Sequence, residues 1–317
     1  MALEYTTYWL EISPRQALQL PVGSGALVRG TFGRALRRMT CLTGAHTCSG
    51  CQLATRCVYR EVFDPLPPAQ HALQAFSAVP PPYVLHVRSL DGAKLAAGQP
   101  ARLGITLVGS ARRNLELVAL ALRQALEEGW LRERISLQLH RVLADQVEGL
   151  VPALDLERKQ LLPHSATSCL TPEAIDLSMV EPCAVEMEWL TPTALKQAGR
   201  EARIEMVQAR TWLMTLLRRV ALLADFYGEA PLRFDFPRWA DLAGRARFTV
   251  RQLRRQSWNR YSARQGRTMP MGGLVGRVRI EGPLRPFLPL MDFARRLHVG
   301  RHAAFGLGEY RYSVEAA

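Results

Sequence analysis

His298–Gly308 reads HVGRHAAFGLG, with a helix-like segment, Arg285–Leu297, before it and a strand-like segment, Glu309–Val314, after it. Gly300, Gly306 and Gly308 surround Arg301 and His302. Glycine has no Cβ, so its backbone can come close to a ligand and turn N–H groups toward it. Such a loop suits an anion. It equally suits a tight turn packed against a sheet, and the loop alone does not choose between the two. What it does fix is an order of elements, helix, loop, strand, that the rest of the chain either continues or breaks.

The order continues. Working back, Cys183–Leu190 alternates like a strand, and Ala202–Phe226 carries Ile204, Val207, Leu213, Leu217 and Leu223 on one helical side. Strands follow within Phe248–Tyr261 and Gly273–Ile280, then the helix Arg285–Leu297 and a last strand within Ala304–Val314. The N-terminal half reads the same way. Leu3–Ser13 is a strand, and Ala26–Met39 is a helix with Val28, Phe32, Leu36 and Met39 on its apolar side. Tyr83–Ser89 and Ala101–Gly109 are strands, Asn114–Glu128 a helix, Ile135–Ala144 a strand. Each half is thus strand, helix, strand, strand, helix, strand. That order predicts an α+β chain of two ferredoxin-like (RRM-like) β-α-β-β-α-β domains in tandem. Residues 1–147 and 183–317 form the domains. Residues 148–182, rich in Pro, Ser and Thr, form a linker or an excursion between them. Gly30 and Gly33 would each weaken an isolated helix by ~1 kcal/mol against alanine, so something must come close to the first helix.

The chain carries 41 Lys+Arg against 28 Asp+Glu, a net charge of +13, and nearly all of the positive charge is arginine. That excess points to a polyanion, and arginine both binds phosphate bidentately and stacks on bases. With 48% hydrophobic residues the chain can still bury a core in each half. From Arg245 to Ile280 there are ten arginines and no Asp or Glu. A solvated surface normally mixes signs, so this stretch reads as a nucleic-acid groove, with Trp258 and Tyr261 interleaved as stacking surfaces. The candidate RNA-binding set is Arg251, Arg254, Arg255, Arg260, Tyr261, Arg264 and Arg267, with Arg34 and Arg37 of the first helix and Gly300, Arg301, Gly306 and Gly308 of the loop.

Cys41, Cys48, Cys51 and Cys57 lie within seventeen residues as C-x6-C-x2-C-x5-C. Four thiolates at such spacing predict a closed structural zinc site, or an iron–sulfur cluster, inserted after the first helix. A closed site leaves no position for substrate, so no catalytic metal is expected. The N-terminus has no signal-peptide pattern and no apolar run approaches the ~18 residues that cross a bilayer, which predicts a cytoplasmic protein.

Four stretches together resemble the CRISPR-associated precursor-RNA processing endoribonucleases of the repeat-associated (RAMP) superfamily. They are RGTFGRALRRM (Arg29–Met39), the cysteine segment running into CVYREVFDP (Cys57–Pro65), RYSARQ (Arg260–Gln265) with MPMGGLVG (Met269–Gly276), and LHVGRHAAFGLGEY (Leu297–Tyr310). The resemblance, to the branch with a cysteine knot, implies two ferredoxin-like domains and binding of a CRISPR repeat stem-loop. It implies cleavage on the 3′ side of the stem by 2′-OH attack, without a metal, and retention of the mature guide RNA. Other CRISPR effector subunits are implied as partners, and neither membrane nor nucleotide cofactor is. Many members place a histidine in or near the first helix, whereas Gln19–Met39 has none, only Arg29, Arg34, Arg37 and Arg38. The catalytic candidates are therefore Arg29 and Arg38, acting by charge and orientation, and His302 as acid or base. The alternative is a subunit that holds guide RNA without cutting it. A zinc-stabilised DNA-binding protein is a third reading, but no helix-turn-helix or zinc-finger spacing supports it.

Overall fold

Strand β1 (Leu3–Pro14) lies inside the N-terminal sheet, since most of its residues are buried and its backbone pairs with a strand on either side. The computed structural model describes residues 3–68, 79–178, 180–197, 199–230, 232–262 and 267–315, without the side chains of 261, 262 and 267. The chain divides into two units, Tyr5–Thr167 and Ser168–Ala317, the second joined by Met1–Glu4.

In the first unit, the strands after β1 are β2 (Tyr83–His86), β3 (Ala101–Val108), β4 (Leu137–Gln146), β5 (Gly149–Asp155) and β6 (Gln160–Leu161). All pairings with printed register are antiparallel, and the sheet runs β2-β3-β1-β4-β5-β6. Helices α1 (Ser24–Thr40) and α3 (Leu115–Glu127) pack beside each other. α1 buries Val28, Phe32, Ala35 and Leu36, and α3 buries Leu115, Val118, Leu122 and Leu126. Each large side chain so buried contributes ~1.5–3 kcal/mol. The first turn of α1 is capped from a distance: Asp91 Oδ1 accepts the Gly23 N–H at 2.6 Å and the Ser24 N–H at 3.0 Å.

The close neighbour that Gly33 requires is a side chain of the same unit. Short helix α2 (Val58–Val62) delivers Phe63 onto α1, and a Cβ on Gly33 would stand 2.6 and 2.7 Å from two carbons of that ring. Phe63 in turn stacks on Tyr59 and Tyr83 and meets Phe32 edge-on. At Gly30 a Cβ would have room.

Residues 149–161 are not linker. β5 continues β4 through a turn at Val147–Gly149 and lengthens the sheet, with Ala144 opposite Val151 and Leu143 opposite Pro152. Pro152 made this stretch look broken, but it costs only one ladder donor near the sheet's margin. The boundary between units falls at 167/168.

In the second unit β7 (Cys183–Thr193) is central, with β8 (Arg247–Ser262), β9 (Arg267–Gly282) and β10 (Tyr310–Glu315) in the antiparallel order β8-β9-β7-β10. In both units the first strand of the set lies between the third and the fourth. Val185, Met187 and Trp189 face the core, while Glu186 and Glu188 face out. Helix α4 (Ala209–Tyr227) covers the core with Trp212, Leu213, Leu216, Leu217, Val220 and Leu223. It begins later than its apolar pattern suggests, because Ile204–Met206 is a separate 3-10 turn. Helix α5 (Phe236–Gly244) was not anticipated, although Asp235 caps it by accepting the Arg238 N–H and Pro237 stands in its first turn. Helix α6 (Leu288–Phe293) leads through a 3-10 turn to Leu297. The last strand starts only at Tyr310, since Ala303–Phe305 is a 3-10 turn. Among the described residues no helix is long and apolar enough to cross a membrane.

Candidate functional site

The loop His298–Gly308 is built into the end of β7. The Val299 N–H donates to the Gly308 carbonyl at 2.9 Å and closes the loop's neck. The Arg301 N–H donates to Ala194 at 3.0 Å and the Gly308 N–H to Pro192 at 3.1 Å. Gly300, at φ 105, runs so close to β7 that a Cβ would stand 2.8 Å from the Ala194 carbonyl oxygen. Gly308, at φ 80, would drive a Cβ into the Val299 carbonyl. These two glycines therefore serve close backbone packing, with left-handed φ values that other residues rarely adopt. Thr191 locks the far side: its hydroxyl donates to the Gly306 carbonyl at 3.0 Å and accepts the Glu309 N–H at 2.9 Å. Held in this way, the loop carries Arg301 exposed and His302 half-buried.

The structure joins this loop to the arginine hairpin. β8 and β9 pair from Arg247–Glu281 out to Ser262–Arg267, well past the end of β7. From that arm the Arg260 guanidinium lies over the Phe305 ring at 4.7 Å. Phe305 also meets His302 edge-on, with centroids 5.8 Å apart. Arg260, Phe305 and His302 thus form one line of contact across two segments that the sequence proposed separately. Phe305 was missed as a candidate. Its signal was an aromatic residue in an otherwise small-residue loop.

Most of the other arginines in the acid-free stretch find acids elsewhere. Arg251 pairs with Glu186 at 3.3 Å, Arg255 with Glu201 at 2.8 Å, Arg277 with Glu188 at 3.6 Å and Arg245 with Asp241 at 3.5 Å. Arg279 meets Glu186 at 3.0 Å, Glu281 at 3.1 Å and Glu315. Strand register does this, since it sets Glu186 opposite Arg279 and Glu188 opposite Arg277. The hydrogen bond from Arg279, helped by Arg251, holds the Glu186 carboxyl below the usual glutamate range against the opposing effect of burial. The outward face of this sheet therefore mixes signs, contrary to the reading of a purely basic groove. Arg254 is exposed. Arg264 lies outside the described residues, as do the side chains of Tyr261 and Arg267.

In the first unit, Arg29 lies 4.2 Å over the Phe63 ring and beside Tyr83, whose hydroxyl burial pushes up to about 12. Arg38 pairs with Glu128, holding that carboxyl below its ordinary value, and Arg37 donates to the Ala45 carbonyl. Arg34 is exposed on the same helix. Arg29 is thus an aromatic-cluster residue, while Arg34 and Arg38 face outward.

In this structure the four cysteines are not gathered into one site, and the zinc or iron–sulfur centre stays an expectation from their spacing. Among the described residues no three His, Cys, Asp or Glu side chains are grouped so as to hold a metal ion. Cys41, Cys48, Cys51 and Cys57 are half-buried free thiols. Cys41 is turned to its own loop, with Sγ 3.7 Å from Thr43 Oγ1, and that contact with the loop amides draws its thiol pKa down. The loop is tied instead by Arg37.

An α+β protein in two units, with an arginine arm braced on a glycine-rich loop, is the class that fold and site define. Comparison with known proteins narrows it. A family model described as an N-terminal domain matches residues 3–165, and the model for the CRISPR-associated endoribonuclease Cas6 matches residues 187–310. The likeness to Cas6 endoribonucleases thus lies in residues 187–310. Among solved structures, a Cas6 product complex is 16% identical with a TM-score of 0.57, covering 98% of this chain and 100% of that one. Thermus thermophilus Cas6 is 15% identical at 0.52, covering 99% and 100%. A partial Cas6–RT–Cas1–Cas2 complex is 11% identical at 0.57 and covers 99% of this chain, which spans 46% of that longer chain. At such identities the likeness to these structures is one of fold. No curated protein matches the chain.

Proposed function

We propose that this protein is an endoribonuclease that binds the stem-loop of CRISPR repeat RNA and cuts the precursor on the 3′ side of the stem. The 2′-OH attacks the adjacent phosphate, the O5′ bond breaks, and the products carry a 2′,3′-cyclic phosphate and a 5′-OH. The mature guide RNA stays bound in the cytoplasm and offers itself to other CRISPR subunits. We read both units as ferredoxin-like domains, which their common strand order supports.

The observation that carries the proposal is the line Arg260–Phe305–His302, inside the stretch 187–310 that matches the Cas6 endoribonuclease model. In-line attack needs the phosphate oriented, negative charge stabilised and a proton moved at each end. Arg301 and Arg254, both exposed, supply charge, and His302 is the group that can give or take a proton. Arg34 and Arg38 of α1 supply further phosphate contacts, and Arg29 acts through the ring it covers. Arginine stays protonated and is no general base, so His302 bears the proton transfer.

The test is cleavage of a repeat hairpin in EDTA. The intact substrate is cut, one 2′-deoxy substitution at the cleavage nucleotide stops it, and His302→Ala slows it without loss of binding. Cutting that survives the 2′-deoxy change would refute the mechanism. A second reading, guide-RNA binding without cleavage, is favoured by one observation: α1 has no histidine, Arg29 is engaged by Phe63 and Arg38 by Glu128. It predicts tight, salt-sensitive hairpin binding with the RNA left intact over hours.

A further inference from the structure

We propose that Arg219, half-buried on the flank of α4, is a positioning residue that sets the register of the glycine-rich loop and thereby the place of Arg301 and His302. Its Nε–H donates to the Leu297 carbonyl at 2.8 Å, across 78 residues of sequence. Leu297 is the last residue before the loop and the end of the helical run through α6. The next residue, His298, is fully buried at φ 58, and Val299 then closes the neck on Gly308. A shift of the Leu297 carbonyl would be passed directly into these constrained residues. Thr191 fastens the exit of the same loop, so Arg219 and Thr191 hold its two ends.

The chemistry of the position supports a specific task. The Arg219 side chain is half-buried, and burial draws its guanidinium down to about 10, still charged at neutral pH. An apolar side chain of similar length would fill that space without desolvating a charge. A cation at the carbonyl end of a helical run is favourable through the aligned peptide dipoles, and a hydrogen bond from a charged donor is stronger than a neutral one. Both gains are realised at a single atom, the Leu297 oxygen. The consequence for ligand binding rests on the RNA-binding reading above; the consequence for the loop does not.

The experiment uses the full chain with Arg219→Met and Arg219→Lys. Hydrogen exchange is followed in peptides over residues 297–309, with peptides from α4 and β7 as controls. Binding of a labelled repeat hairpin is measured across salt for each variant, alone and with Arg301→Ala. Exchange in 297–309 is expected to speed up about ten-fold while the controls keep wild-type rates. Hairpin affinity falls several-fold, and Arg301→Ala then costs nothing further, because its side chain is already out of place. Lysine keeps the charge but has no donor where Nε stands, so Arg219→Lys shows the same loop exchange and carries the test if the methionine variant does not fold. Wild-type exchange at 297–309 in either folded variant overturns the proposal. So does an Arg301→Ala penalty of equal size in both backgrounds. If Arg301→Ala binds the hairpin as tightly as wild type, RNA binding by the loop is refuted, and the exchange data alone decide the role of Arg219.

Discussion

If the arginine arm is braced by the loop, Arg260 and Phe305 must be energetically coupled, and a double-mutant cycle measures that coupling. Arg260→Met keeps a long flexible side chain and removes the cation. Phe305→Leu keeps most of the apolar volume and removes the aromatic face. A guanidinium 4.7 Å from a ring centroid, over a ring that is 9% exposed, lies between the exposed and desolvated cases, at ~0.5–2 kcal/mol. Phe305→Leu also loses the edge-on contact with His302, another ~0.5–1.5 kcal/mol. The phenylalanine variant should therefore cost ~1–3.5 kcal/mol and the arginine variant ~0.5–2, with the double variant less damaging than their sum by the cation–ring energy. In a unit of this size 1 kcal/mol moves the midpoint by ~2–4 °C, within reach of calorimetry or urea titration. Additivity within ~0.3–0.5 kcal/mol would show that the two side chains are neighbours without mutual support, and the site would lose its central link.

Asp91→Ala should destabilise the first unit by ~1–2 kcal/mol in urea unfolding, because the first amides of α1 lose their acceptor, and Asp91→Asn should cost less. Gly33→Ala gains ~1 kcal/mol of helix propensity but forces the Phe63 ring aside at ~1–3 kcal/mol, so a net loss of stability is expected, and the cost of Gly33→Ala should shrink when it is measured in a Phe63→Leu background. Glu186 has a folded pKa below its unfolded value of 4.5, so its contribution is complete above that value and is lost as pH falls through the lowered one. Melting between pH 7 and 3 should therefore decline less steeply in Glu186→Gln than in wild type. At neutral pH the substitution should cost no more than ~1 kcal/mol, since the carboxylate is partly solvated.

Element order was legible in the sequence because it rests on periodicity, which burial imposes directly. β1, α1, α3 and β7 lie where their apolar spacing sets them. What escaped were features set by partners far along the chain. β5 carries Pro152 and no alternation of buried and exposed residues, and α5 is short enough for its Asp235 cap to be its clearest mark. The arginine stretch illustrates the point best. Ten like charges in a row of sequence imply repulsion, yet strand register brings Glu186 and Glu188 from β7 and Glu315 from β10 among them. A count along the chain cannot see a neighbour across a sheet. The loop at His298–Gly308 was read as either a cradle or a packed turn. It is a packed turn at Gly300 and Gly308, and Arg301 is exposed on it.

The cap on α1 bears on how the chain acquires its structure. Asp91 is 67 residues beyond Ser24, and β1 waits for β3 and β4, with Glu11 opposite Arg102 and Arg141. A ribosome therefore releases the first helix, its arginines and four thiols long before their stabilising partners exist. Closing loops of that length delays the first unit's collapse, since entropy must be spent before non-local pairing rewards it. During synthesis the nascent segment behaves as an uncapped cationic peptide, open to any passing polyanion. The capped helix of the folded unit is thus preceded in time by a less discriminating cationic segment, and its amides find their acceptor only when Asp91 arrives.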